Sequence, residues 1–184
     1  LRKEIHHLGY TSDFSIFDVA DQISLVKVVL DSMDIPKNYV TPQEVRHKIS
    51  YFKNKLINPA EAKKKAHLVI ERTYADIYKN YQISLAKNNA VDFDDLLILP
   101  LELFEKHPDI LEKYRNNWQY ILVDEYQDTN KPQFTLVKYL AQKHQQICVV
   151  GDDDQSIYSW RGADIRNILD FEKNFGNCEV FKLE

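Results

Sequence analysis

The chain has 184 residues, 44% hydrophobic and 28% charged, with a formal net charge of −4. That length buries one good core, or one core with a smaller helical lobe, and the mixed surface excludes a disordered polymer. No apolar run approaches the roughly 18 residues of a membrane span and nothing resembles a signal peptide, so no membrane partner and a cytoplasmic location are expected.

The first half reads as helices. Asp18 caps the pattern VADQISLVKVVLDSM, in which Val19, Ile23, Val26 and Leu30 recur at helical spacing, and Asp34, Ile35 and Pro36 end it. Thr41-Pro42-Gln43-Glu44 is a capping box with proline at the first helical position, and predicts a helix through about Leu56. Asn58-Pro59-Ala60-Glu61 repeats that logic and predicts one long helix to Lys87, with Leu68, Tyr74, Ile77, Tyr78, Tyr81 and Leu85 as its apolar stripe. Asn88-Asn89 closes it. Asp92 caps a further helix, DFDDLLILPLELFEKH, with Asp94 and Asp95 in its first turn and a kink expected at Pro100; a short helix runs from Pro108 to Asn116.

From Gln119 the pattern changes. YILVDE is a strand, a helix covers 132–143, QICVVGD is a second strand, a helix covers 163–175, and EVFKLE is a third strand. Continuous apolar strands alternating with helices indicate a parallel sheet covered on both faces. The expected fold class is α/β: a mostly helical subdomain over residues 1–90, then a partial parallel sheet over 91–184 resembling the back half of an α/β domain. The chain opens on Leu1 and its only methionine is Met33, which suggests a piece of something longer. Cys148 and Cys178 lack metal-ligand spacing and read as reduced structural thiols.

Charge is uneven along the chain. Residues 1–90 carry 14 Lys and Arg against 10 Asp and Glu, whereas residues 91–184 carry 10 against 18. Arg46, Lys48, Lys53, Lys55, Lys63, Lys64 and Lys65 face only Glu61 within 46–67, which reads either as a footprint on nucleic-acid phosphates or as a solvated helix face.

The strands ILVDE and CVVGDDDQ both end in acids, and ligands of parallel sheets collect at the carboxyl ends of strands. Asp124 can hold a magnesium ion, a hard cation that takes oxygen ligands and keeps several waters. Glu125, where the strand turns, can orient water for attack on a terminal phosphate, and Gln155 can hydrogen-bond that phosphate. A lone Asp-Glu after a strand is also often only a cap. Tyr158 and Trp160 alternate in a polar loop beside Arg161, an arrangement that can stack unpaired bases, although both rings can instead fold onto the core.

VDEYQDTN and VVGDDDQSIYSWRGAD, about 30 residues apart, resemble two signature motifs of the UvrD/Rep/PcrA helicases, and VDFDDLL resembles a further one. The resemblance covers essentially the whole chain and implies a RecA-like P-loop motor domain preceded by its inserted helical subdomain. It implies ATP and Mg2+ as cofactors and single-stranded DNA and duplex junctions as partners, in a motor moving 3′ to 5′. By the same resemblance Asp124 coordinates magnesium, Glu125 activates water and Gln155 contacts the γ-phosphate. Tyr158, Trp160 and Phe93 stack on single-stranded bases, with Arg161 in the coupling. For Phe93 a core position is the competing expectation.

The chain contains no GxxxxGK[ST] loop, so weak or absent ATP binding and no unwinding are expected of these 184 residues themselves. Two other functions stay open: the motor subunit of a recombination helicase-nuclease, from which Trp160 in SWRGAD points away, and a DNA-binding module without enzymatic activity.

Overall fold

The computed structural model describes residues 1–36, 38–152, 166–169, 171–176 and 178–181. It divides into two compact units, Leu1–Leu103 and Phe104–Glu184. No helix among the described residues is long and apolar enough to cross a membrane.

In the first unit a short strand β1 (Ser15–Phe17) pairs in parallel with β2 (Ala90–Asp92), Ser15 opposite Ala90 and Phe17 opposite Asp92. Three residues of DFSIF are too few to show the alternation by which strands are read, so this pair goes unannounced in the sequence. Between the two strands lie four helices: α1 (Val19–Ser32), α2 (Pro42–Asn54), α3 (Pro59–Lys65) and α4 (Val69–Lys87). The first three open on reciprocal capping boxes, Asp18 with Asp21, Thr41 with Glu44 and Asn58 with Glu61. Each box satisfies backbone donors that the first turn would otherwise leave unpaired.

The core of this unit joins Leu25, Val26, Val29 and Leu30 of α1 with Val45, Ile49 and Phe52 of α2 and Ile77, Tyr78, Tyr81 and Leu85 of α4. On α1 the expected Val26 and Leu30 are buried and Ile23 is half-buried, whereas Val19 is exposed and Gln22 and Leu25 turn inward as well.

The single helix expected from Asn58 to Lys87 is two helices. Ala66 is extended, with ψ of 120°, and the Glu71 carboxylate accepts from the backbone of His67 at 2.8 Å and of Leu68 at 3.1 Å. A glutamate at the third position thus caps α4 without any Ser, Thr, Asp or Asn to announce a start. The chain doubles back, Ala62 is buried, and Lys63 reaches Asp76 at 2.7 Å. After β2, α5 (Asp95–Lys106) runs through Pro100 as one continuous helix.

The second unit contains α6 (Pro108–Asn117), β3 (Ile121–Val123), α7 (Lys131–Ala141), β4 (Ile147–Val149), α8 (Arg166–Leu169) and α9 (Phe171–Phe175). Strands β3 and β4 are parallel, with Ile121 opposite Ile147, Leu122 opposite Cys148 and Val123 opposite Val149. α7 opens on another reciprocal box, Asn130 with Gln133, and proline near its start.

Among the described residues Ile121 and Val123 are half-buried, whereas Leu122 is 81% exposed and Cys148 is exposed beside it. One expectation for this unit is corrected. Residues 179–181 form no strand; Val180 and Phe181 stand in solvent, and 182–184 lie outside the described residues. A strand needs a neighbour to bond its backbone, and an apolar run alone does not supply one.

The first unit extends through Leu103, and within it β2 bonds back to β1.

Candidate functional site

The apolar run Ile121–Val123 builds β3 and delivers Asp124 and Glu125 to its carboxyl end. The two chains stay bonded beyond the strands: Val150 donates from its backbone to Val123 O at 2.8 Å, and Tyr126 to Val150 O at 3.0 Å. The acidic end of β3 therefore lies directly beside the chain leaving β4, as the sequence pattern leads one to expect. Asp124 and Glu125 are both exposed.

Glu125 has φ of 51° and sits in the left-handed region. For a residue with a β-carbon that conformation costs about 1–2 kcal/mol and persists only where its surroundings hold it. Three neighbours do so. Asp124 Oδ1 accepts from the Glu125 backbone at 2.9 Å, Gln127 Nε2 donates to Glu125 Oε2 at 2.7 Å, and a one-turn 3-10 helix over Tyr126–Asp128 follows at once.

Gln127 is 0% exposed, and its other amide atom, Oε1, accepts from the Asp152 backbone at 3.1 Å. One carboxamide thus spans from the acid ending β3 to the chain after β4. Gly151 makes that span possible: a β-carbon there would lie 2.5 Å from Gln127 Oε1 and 2.8 Å from the Ile168 terminal methyl.

The rest of the segment is anchored to the last helices. Tyr126 is buried edge-on against Phe171, 5.5 Å between ring centres, and burial pushes its hydroxyl up to about 12. Asn167 Nδ2 donates to Thr129 O at 2.9 Å and to its hydroxyl at 3.1 Å.

Asp124 and Glu125 offer hard carboxylate oxygens of the kind a magnesium ion accepts. Magnesium in nucleotide sites takes one or two carboxylates and completes its shell with water and phosphate.

Of the other expected site residues, Gln155, Tyr158, Trp160 and Arg161 lie outside the described residues. Phe93 belongs to the first unit and is 56% exposed, so it is not the core residue that its amphipathic surroundings allow. It sits on the turn between β2 and α5, which Asp92 and Asp95 close by reciprocal capping: Asp95 N donates to Asp92 Oδ1 at 2.9 Å and Asp92 N to Asp95 Oδ2 at 3.2 Å.

The basic segment is corrected at one position. Lys53 is 1% exposed, and its ammonium meets Asp92 Oδ2 and Asp95 Oδ1, each at 2.7 Å. It is no part of a solvated phosphate footprint. Burial pulls this lysine down, and Asp95 and Asp92 together more than offset that, so it is held above its ordinary range.

The sequence pattern assigns no role to Gln127 or Gly151 and reads Lys53 only as one more basic residue of 46–67. For Lys53 a signal exists: with Val45, Ile49 and Phe52 it completes the buried stripe of α2, and a lysine on such a stripe demands an acidic partner. Gln127 and Gly151 give no comparable sign, because their closeness arises only when β3 and β4 pair.

The profile of the UvrD/REP helicase N-terminal domain matches residues 1–176. The chain is 47% identical over all 184 residues to the ATP-dependent DNA helicase PcrA of Bacillus subtilis (strain 168). It is 48% identical, again over its whole length, to proteins of the same name from Staphylococcus aureus (strain Mu50) and Staphylococcus epidermidis (strain RP62A). It spans 25% of the length of each of these relatives.

Proposed function

The chain belongs to the UvrD/REP helicase N-terminal domain family, and on that premise we propose that it is the part of an ATP-dependent DNA helicase that carries the hydrolytic acids and a section of the single-strand track. The observation that carries this reading is the pair Asp124 and Glu125 at the carboxyl end of β3, with Gln127 bonding Glu125 from within and reaching Asp152 beyond β4.

In this reading Asp124 would hold Mg2+, directly or through water, and Glu125 would take the proton of the attacking water. When bound, ATP supplies the phosphoryl group and Mg2+ the charge neutralisation that its transfer to water needs. Glu125 suits the task because its carboxylate is exposed for water yet fixed on one side by the Gln127 amide, so the accepting oxygen is oriented before substrate arrives.

Gln155 would report the terminal phosphate, and Tyr158, Trp160 and Phe93 would stack on single-stranded bases with Arg161 beside them. The exposure of Phe93 supports its share of that role. Alternating nucleotide states would then drive the complete protein along single-stranded DNA in the 3′ to 5′ direction and into duplex junctions. The 184 residues alone hold no GxxxxGK[ST] loop and would show negligible hydrolysis.

The test is Glu125→Gln in the complete protein. Retained binding of a fluorescent ATP analogue with turnover reduced by about 10²–10⁴ is the expected outcome for loss of a general base. Hydrolysis at the wild-type rate would remove Glu125 from that role.

A further inference from the structure

Exposure of a single aromatic is ordinary and by itself signifies little. The turn beneath Phe93 is not ordinary. All four carboxylate oxygens of Asp92 and Asp95 are engaged. Asp92 Oδ1 and Asp95 Oδ2 accept the two capping bonds, Asp92 Oδ2 accepts from Lys53 and from Tyr81 Oη, and Asp95 Oδ1 accepts from Lys53 and Gln82. Asp94, the residue after Phe93, accepts from Asn54 Nδ2 at 3.0 Å.

Lys53 and Asn54 both belong to α2, and between them they hold residues 92, 94 and 95. Phe93 alone in the turn projects outward. A buried ammonium shared by two acids is an expensive way to stabilise a core, where apolar residues of equal volume do as well or better. It is an effective way to fix one geometry.

We infer that α2 is a positioning element for Phe93, its Lys53 and Asn54 side chains fixing the turn so that the exposed ring is presented to a single-stranded base in a preset orientation. This rests on the reading of Phe93 as a stacking residue. Lys53 and Asn54 touch no base themselves; they act through Asp92, Asp94 and Asp95. A ring carried on a turn that is already fixed leaves less backbone freedom to lose when a base stacks on it, so the gain appears as affinity for single strands.

Removing Lys53 exposes two buried acids to each other and risks unfolding, so the decisive variant is Asn54→Ala, at a half-buried position of the grip. In the complete protein, affinity for a fluorescein-labelled oligothymidylate is measured for wild type, N54A, F93A and the double variant, with thermal melting of each alongside. F93A is expected to weaken binding about tenfold, within the range for loss of one base–aromatic stack. N54A is expected to weaken it about threefold in the wild-type background and not at all in the F93A background.

A merely structural role predicts the same loss in both backgrounds, together with a lowered melting temperature, and that result overturns the inference. A normal affinity for F93A overturns it as well. Failure of the complete protein to bind oligothymidylate at all would instead sink the single-strand reading on which it rests.

Discussion

Gln127 holds Glu125 from the inside: its amide donates to Glu125 Oε2 at 2.7 Å while the glutamine itself is wholly buried. Its remaining atom is committed to Asp152, so the amide cannot rotate away without breaking a second bond. Gln127→Ala in the complete protein is therefore expected to lower turnover of DNA-stimulated ATP hydrolysis about 10–100-fold, as misplacement of a reacting group by about 1 Å does. The KM for ATP should stay within about threefold. Steady-state kinetics checks this, and unchanged turnover would show that Glu125 orients itself.

Gly151 has no room for a side chain. Gly151→Ala forces Gln127 or Ile168 to move, and overpacking of this kind costs about 1–3 kcal/mol. Urea unfolding of the chain should register that loss in the second unit. The variant should also share the kinetic defect of Gln127→Ala, because the displaced amide can no longer serve both Glu125 and Asp152.

Lys53→Met is expected to destabilise the first unit by about 3–5 kcal/mol, since it leaves the Asp92 and Asp95 carboxylates buried without their cation. Denaturant unfolding measures it. A loss below about 1 kcal/mol would mean that the cluster is hydrated, against the burial of all three side chains.

Burial pushes the Asp95 carboxyl up to about 6, although Lys53 stands 2.7 Å away, because one ammonium serves two acids. The folded value lies above the ordinary value of about 3.9, so the folded chain binds this proton more tightly than the unfolded one. Its contribution to stability is fully present below about pH 4 and is lost as pH rises through about 6. The stability difference between wild type and Asp95→Asn should accordingly shrink in the wild type's disfavour over that window. Urea midpoints at several pH values test it, and a difference independent of pH would place the Asp95 titration elsewhere.

What the sequence reveals and what it hides divide along the range of the interactions. Thr41 with Glu44 and Asn130 with Gln133 announce helix starts because both partners lie within one turn. The acids of VDEYQDTN are legible because an apolar run ends at them. The break before α4 is not, since Glu71 caps it through the backbone of His67 and Leu68, which any residue could offer. The bridge from Glu125 through Gln127 to Asp152 depends on a strand pairing that joins residues 25 apart, and no local pattern encodes it. Lys53 lies between: its place on the α2 stripe is visible, but within 46–67 it reads as one more positive charge.

On the face of β3 and β4 that the described residues leave open, Cys148, a free thiol, stands directly across from Leu122. That pairing makes the cysteine a natural gauge of what covers the sheet. A maleimide should label it at the rate of a free thiol in the 184-residue chain and far more slowly wherever a further layer seals the face. The same residue, with no engineering, would report by its alkylation rate whether that face is covered.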